Sequence, residues 1–430
     1  MLDIVIRGGS VVDGTGAPAV RADVGVSAGR VVAVGDVGGA GRREIDAEGR
    51  VVCPGFVDVH THYDGQVLWD PTLSPSPLHG VTTVVAGNCG LSLAPVRPED
   101  EDFIVRMFSR VEAIPLASLR QGIDFRWRSF AQFLDVVEHR GVAVNIGFLA
   151  GHSALRRSTM GPRASSVEAS PADVEAMRAA LDEAVTAGAL GFSSSTATTQ
   201  KDGDGTPTPP NFASPDELVA LASVCRRHPG TSVEFIPASA ARGFDDADLA
   251  LMAQMSVAAR APLNWNTVLL NYPAVPDIHE RQLASFDAAA AVGGCVVPMI
   301  VPHNFRVRTD FLDSDVGFRP IGAFDEVFGL DVGGRVRALS DPGVRARLLA
   351  AMASLPAGSA AMFRDALPDL IVSDAGPPAM RELVGRRVAD IARERSTSVL
   401  ETVFDLAVEA RLDIGFVRYT LPATRAGVRA

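Results

Sequence analysis

Ten residues, Cys53-Pro-Gly-Phe-Val-Asp-Val-His-Thr-His62, constrain this chain more than any other stretch. An apolar run carries Asp58, His60 and His62 at every second position. Alternate residues of a β-strand share a face, so these three side chains are expected along one side, with the imidazoles at the strand's C-terminal end. In a parallel barrel that face points inwards and that end carries the chemistry. Two imidazoles spaced i, i+2 can grip one metal ion, with the deeper Asp58 orienting a ring N–H. Eight histidines in 430 positions would give roughly 0.15 such pairs by chance, so the motif reads as a metal site.

A chain of 430 residues suits one large barrel with a satellite domain. The net charge of −11 excludes a nucleic-acid binder, which needs a basic face. Cys53, Cys89, Cys225 and Cys295 are scattered without paired spacing. A disulfide framework is therefore not expected, and a reducing, cytoplasmic compartment is. The N-terminus lacks a basic stretch followed by an apolar one, so no signal peptide is read there. Two uncharged runs, 71–96 and 288–302, are broken by proline, glycine and asparagine, and neither is expected to span a membrane.

Residues 1–53 alternate apolar and polar side chains between Gly8-Gly9, Asp13-Gly14 and Ala28-Gly29-Arg30, which predicts short antiparallel strands in a small β-domain. From residue 54 the pattern becomes strand, helix, strand. Strands are predicted over 56–60, 81–87, 142–149, 190–193, 232–236, 262–268 and 295–300. Helices are predicted over 129–139, 171–187, 215–228, 245–260 and 279–291, two of them opening on Ser-Pro caps. This alternation predicts a (β/α)8 TIM-like barrel over 54–430. Seven strands are clear, and the eighth is missing or supplied by 369–374 after a poorly periodic excursion.

Four further positions carry polar chemistry. Cys89 follows the second strand between Asn88 and Gly90, and a thiolate is a good zinc ligand. His152, in Gly-His-Ser-Ala-Leu-Arg156, follows the third strand and is a candidate for metal, for substrate or for bracing a loop. Glu234 on strand five, and Asn264 and Asn266 on strand six, interrupt apolar runs, so either a buried hydrogen-bond network or substrate contact is expected. His303 follows strand seven, with Arg306 and Arg308 as candidate carboxylate binders. The remaining histidines, His79, His139, His228 and His279, are read as solvated or capping residues.

With these motifs in place the chain resembles the amidohydrolase superfamily, close to the N-acyl-D-amino-acid deacylases. The resemblance is carried by Gly-Gly-Ser-Val-Val-Asp-Gly-Thr-Gly, Pro-Gly-Phe-Val-Asp-Val-His-Thr-His-Tyr-Asp, Gly-Val-Thr-Thr-Val-Val-Ala-Gly-Asn-Cys-Gly, Gly-His-Ser-Ala-Leu-Arg and Ala-Gly-Ala-Leu-Gly-Phe-Ser-Ser-Ser, in family order. It implies His60, His62 and Cys89 as metal ligands; His152 and Arg156, in the loop after strand three, are expected at the substrate. The histidine and cysteine donors favour zinc as the metal, one ion being expected and two the alternative. The implied reaction is hydrolysis of a small-molecule amide by a metal-activated water, with an aspartate from the eighth strand carrying the proton.

The chain departs from the family pattern in two places. Strands five and six carry Glu234, Asn264 and Asn266 and no histidine, which favours a single ion. Asp374 in Val-Ser-Asp-Ala-Gly imitates the strand-eight aspartate but precedes the Gly385-Arg-Arg-Val-Ala-Asp-Ile-Ala segment. The expectation is therefore a C-terminally truncated member whose catalytic aspartate lies past residue 430. The alternatives are a catalytically incompetent metal binder, or a cyclic-amide hydrolase on the same fold.

Overall fold

Alternating valines at the start of the chain build a five-stranded sheet. β1 (Leu2–Val11), β2 (Val20–Ser27) and β3 (Arg30–Gly35) run antiparallel, with Ala28 and Gly29 at positive φ turning β2 into β3. β4 (Gly41–Asp46) and β5 (Val51–Val52) instead pair parallel to β1, so the expected all-antiparallel arrangement does not hold. Arg7 on β1 accounts for the crossover. Its guanidinium bonds Asp23 and Glu44 and donates to the carbonyls of Val37 and Gly39, holding the connection across the sheet edge. β6 (Phe56–Asp58) pairs in parallel with β7 (Val81–Ala86).

The computed structural model describes residues 1–269, 277–301, 306–312, 317–318, 321–355 and 359–419. Two compact units emerge, one of residues 1–59 and 74–84, the other of 60–73 and 85–430.

The larger unit is built from βα repeats. The third barrel strand is split into β8 (Asn145–Phe148) and β9 (Ala150–Gly151). β10 (Gly191–Ser195), β11 (Ser232–Ile236), β12 (Leu263–Asn266) and β13 (Val296–Met299) follow, and the parallel order is β13-β12-β11-β10-β9. Glu234 stands beside Ser193 on one side and Asn264 on the other. All seven predicted strands form, most of them shorter by one to three residues at an end.

The connections include α1 (Glu101–Glu112), α2 (Leu116–Gly122), α3 (Phe130–Arg140), α4 (His152–Met160), α5 (Pro171–Ala187), α6 (Pro215–Ala222), α7 (Asp246–Ala259) and α8 (Ile278–Ala291). Ser129 and Ser170 close capping boxes on α3 and α5. On α5 the buried residues Met177, Leu181, Ala184 and Val185 fall on one helical face, which is the face packed inwards. α1, α2 and α4 were not expected. α4 begins at His152 itself, where the sequence pattern predicts a loop.

After β13 the chain changes character. β14 (Arg306–Thr309), β15 (Ile371–Ala375) and β16 (Ile414–Tyr419) make an antiparallel sheet in the order β14-β16-β15. Phe311, Phe318, Phe324, Val372, Phe404 and Phe416 belong to one buried apolar cluster. The predicted strand at 369–374 therefore exists, but it pairs antiparallel with β16. Burying Val372 in that cluster is what draws it there. Among the described residues no eighth parallel strand follows β13.

Candidate metal centre

The first barrel strand stops at Asp58, so His60 and His62 lie beyond it and strand alternation does not set their direction. Thr61 does. Its N–H and its hydroxyl both donate to the Val85 carbonyl, at 2.9 and 2.8 Å, clamping the backbone between the two imidazoles. Both rings then turn to Cys89. His60 Nε2 lies 3.3 Å and His62 Nε2 3.6 Å from its Sγ, and the ring planes meet at 77°. All three donor atoms lie within 4.8 Å of one another.

Cys89 is held at φ 57° between Gly87 at φ 79° and Gly90 at φ 71°, a left-handed turn that favours glycine at its flanks. A Cβ on Gly87 would sit 2.1 Å from the Leu149 carbonyl oxygen, so the close approach requires glycine there as well. Asn88 is buried, and its amide donates to the carbonyls of Thr61 and Val85. The Cys89 N–H donates to Glu234 Oε2 at 2.9 Å, and the Gly90 N–H donates to Ser193 Oγ at 3.1 Å. The Ser193 hydroxyl in turn donates to the Gly87 carbonyl. A turn this fully bonded holds its thiol in a fixed place.

The donor set suits a divalent cation. Tetrahedral zinc with Zn–N near 2.0–2.1 Å and Zn–S near 2.3 Å implies N···S separations of about 3.6 Å, close to those seen here. Burial lowers His60 to about 3, helped by its neighbour His62, and burial lowers His62 to about 4, so both rings are neutral at neutral pH. Burial raises the Cys89 thiol well above its ordinary value, and the nearby carboxylates of Glu234 and Glu112 push the same way. Burial also raises Asp64 to about 7 and Glu234 to about 8.

His62 Nδ1, Asp64 Oδ1, Asn88 Oδ1, Glu234 Oε1 and Asn266 Oδ1 are buried without a hydrogen-bond partner. Buried polar atoms left in this way call for a compensating group, and here the deficit is mostly of positive charge. The Asn266 amide comes within 3.2 Å of His60 Nε2. Glu112 Oε2, at the end of α1, lies 3.5 Å from His62 Nε2.

His152 and Arg156, expected at the substrate, are both fully enclosed on α4. His152 Nδ1 meets Ser194 Oγ at 2.9 Å, and its Nε2 meets Glu217 Oε1 at 2.8 Å. Arg156 reaches both Glu217 oxygens at 2.5 Å and donates to the carbonyls of Ala164 and Val167. Burial lowers the His152 imidazole. Burial pulls the Glu217 carboxyl upwards, but the contacts with His152 and Arg156 outweigh it and leave it below its ordinary range.

Asp374 pairs with Arg308 Nη2 at 2.9 Å on the antiparallel sheet, and Arg308 also bonds Asp310. His303 lies outside the described residues. Asp64, Glu112 and Glu217 were not singled out from sequence. Glu112 ends an amphipathic helix and Glu217 sits in an N-terminal turn, both ordinary places for a carboxylate. Only the long-range contacts reveal them.

Parallel βα repeats, with imidazole and thiol donors gathered past the ends of the first two strands, define the class: a barrel with a cluster of metal-ligand residue types past its strand ends. The chain belongs to the amidohydrolase family, whose model matches residues 43–430. It is 38% identical over 194 residues to a D-aminoacylase of Alcaligenes xylosoxydans xylosoxydans, covering 44% of this chain and 37% of that protein. An N-acyl-D-aspartate deacylase from the same organism is 39% identical over 230 residues, covering 53% of this chain and 42% of that protein. The matches span about two-fifths of the length of these curated relatives.

Among solved structures, a D-aminoacylase described as having a binuclear metal centre superimposes with a TM-score of 0.58 at 27% identity, over 97% of this chain and 71% of that one. An N-acyl-D-glutamate deacylase from Bordetella bronchiseptica, complexed with zinc and a phosphonate inhibitor, gives a TM-score of 0.59 at 24% identity over the same shares, a likeness of fold alone. No helix among the described residues is long and apolar enough to cross a membrane.

Proposed function

We propose that this protein is a metal-dependent hydrolase of non-peptide amide C–N bonds, of the N-acyl-D-amino-acid deacylase type, with one zinc ion held by His60, His62 and Cys89. The observation that carries this reading is the approach of both imidazole Nε2 atoms to one sulfur, at 3.3 and 3.6 Å. Two imidazoles and a thiolate favour zinc over harder cations. The deacylase relatives and the family membership support the amide as substrate.

A bound zinc ion would supply Lewis acidity, to an acyl carbonyl and to a water molecule. The chain's own residues do the rest. Neutral His60 and His62 present their lone pairs, and the bonded turn keeps Cys89 opposite them. Glu234 Oε2 holds the Cys89 backbone. His152 and Arg156, through Glu217, lock the start of α4 and Ser194 of β10 beside the Gly90 turn.

The test is turnover of a panel of N-acyl-D-amino acids by the purified chain, with zinc content measured on the same samples. Zinc near one equivalent, and turnover lost together with zinc in the His60→Ala/His62→Ala variant, are expected. Equal rates in the two proteins would overturn the hydrolase reading. Zinc without turnover on any amide would leave a metal-binding member that does not catalyse. The capture of Asp374 by Arg308 gives that outcome a physical basis.

A further inference from the structure

We propose that Gln200, in the loop that follows β10, reads the N–H of the amide to be cleaved, with its own NH2 group committed to the Cys89 sulfur. The inference rests on the deacylase reading of the metal centre and deepens it by naming a contact for the scissile bond. His60, His62 and Cys89 supply the donors, so a tetrahedral ion keeps one position open. Gln200 takes none of those positions.

Its place is set by β10, whose C-terminal end lies directly against the Cys89 turn. Ser193 Oγ accepts from the Gly90 N–H at 3.1 Å, and a Cβ on Gly90 would stand 3.1 Å from the Ser194 Cα. Just past this contact the chain folds back on itself. The Gln200 N–H donates to the Ala197 carbonyl at 3.0 Å, and its carbonyl accepts from the Thr208 N–H at 3.1 Å. Lys201 and Pro207 form an antiparallel bridge beside it. Asp202 Oδ1 closes the far end, accepting from the N–H groups of Asp204 and Thr206 at 2.9 and 3.0 Å. A side chain on so braced a base stays where the fold puts it.

The amide group then has two ends with different tasks. Gln200 is a side-chain hydrogen-bond partner of the Cys89 thiol. Its Oε1 is enclosed and has no hydrogen-bond partner among the described residues. A metal-bound thiolate accepts and does not donate, so the NH2 end faces the sulfur. The oxygen of the same planar group stands about 2.3 Å from that nitrogen, beside the sulfur and free of it. An enclosed acceptor there calls for a donor. A secondary amide brings one in its N–H, whereas an ester of the same shape brings none.

The experiment compares wild type, Gln200→Met, Gln200→Asn and Thr198→Ala, an exposed position on the same loop, with circular dichroism melts confirming that each is folded. Two readouts are taken on the full chain. The first is the thiolate-to-cobalt charge-transfer band of the Co2+-loaded protein. Losing an N–H···S bond raises the energy of the sulfur lone pair, so Gln200→Met is expected to move the band to longer wavelength. The second is the kcat/KM for N-acetyl-D-leucine divided by that for its ester analogue, (R)-2-acetoxy-4-methylpentanoate. Gln200→Met is expected to lower this ratio about 10-fold, through loss on the amide. Gln200→Asn keeps the group on a shorter arm and stands in for the Met variant if that one does not fold; it is expected to fall between. Thr198→Ala should match wild type in both readouts. An unmoved band and an unchanged ratio in both Gln200 variants would overturn the assignment of Gln200 and leave the deacylase reading standing. A moved band with an unchanged ratio would overturn the contact with the substrate N–H. Wild type that shows the band but cleaves no amide would overturn the deacylase reading, and that contact with it. Wild type without the band would overturn the metal centre.

Discussion

The backbone N–H of Cys89 donates to Glu234 Oε2 across 2.9 Å, tying the turn after the second barrel strand to the middle of the fifth. Two residues 145 positions apart thus decide where the sulfur stands. Glu234 is fully buried, so removing its acceptor leaves an amide donor with no water to replace it.

Glu234→Leu is therefore expected to destabilise the folded chain by about 1–3 kcal/mol. Glu234→Gln keeps an oxygen acceptor and should melt close to wild type. Thermal melts of the metal-free proteins check this. Coincident melting of the Leu variant and wild type would show that the bond does not hold the turn.

Gly151 gives a steric test of the same region. A Cβ there would stand 2.5 Å from the Leu91 carbonyl carbon and 2.7 Å from the Ser92 nitrogen, both backbone atoms just past Cys89. Neither can yield without moving the turn. Gly151→Ala is expected to destabilise by about 1–3 kcal/mol and to weaken Co2+ binding. Unchanged melting and unchanged binding would mean that the turn tolerates displacement.

How much of this was legible in the sequence differs by element. The βα repeats could be read because strand and helix periodicity are local, and Ser129, Ser170 and Ser214 mark helix starts within four residues. His60, His62 and Cys89 could be read because their residue types are rare and sit at strand ends. Glu112 and Glu217 could not, since a carboxylate in a helix is unremarkable until its three-dimensional partner is known. Strand β15 was legible as a strand but not in its pairing, because the burial of Val372 beside Phe416 depends on contacts far along the chain. The parallel pairing of β4 was hidden for a similar reason, being held by Arg7 from another strand.

The His152–Glu217–Arg156 cluster predicts a pH response. Burial lowers the folded-state His152 pKa below its ordinary 6.5. Between that lowered value and 6.5 the unfolded chain binds a proton the folded chain does not, so stability rises with pH and is lost on acidification through this window. Glu217, also depressed, adds stability above its unfolded value of 4.5 that is lost as pH falls through its folded value. Denaturant unfolding of the metal-free protein and of His152→Gln between pH 7 and 5 should therefore show wild-type stability falling with acid relative to the variant, by about one proton's worth of slope. The slope that remains combines His60 and His62, lowered in the same sense, with Asp64 and Glu234, raised to about 7 and about 8 and so acting in the opposite sense. Glu217→Gln, which leaves the Arg156 charge buried and uncompensated, is expected to lose about 3–5 kcal/mol at neutral pH. A small loss there would mean that Arg156 finds another partner.

Asp374 is where local sequence and three-dimensional position part company. Its setting, Val-Ser-Asp-Ala-Gly, imitates a catalytic strand end, yet its carboxylate meets Arg308 at 2.9 Å and its side chain is 50% exposed. The Arg308 hydrogen bond leads the effects holding that carboxyl below its ordinary range, which favours an ion pair over a residue that exchanges protons near neutrality. An exposed pair of this kind contributes about 0–1 kcal/mol. Asp374→Asn is accordingly expected to melt within that margin, to bind Co2+ as wild type does, and to leave any amide turnover intact. Loss of turnover with metal binding and melting both unchanged would instead make Asp374 the proton carrier, and would require β15 to leave Arg308 during catalysis.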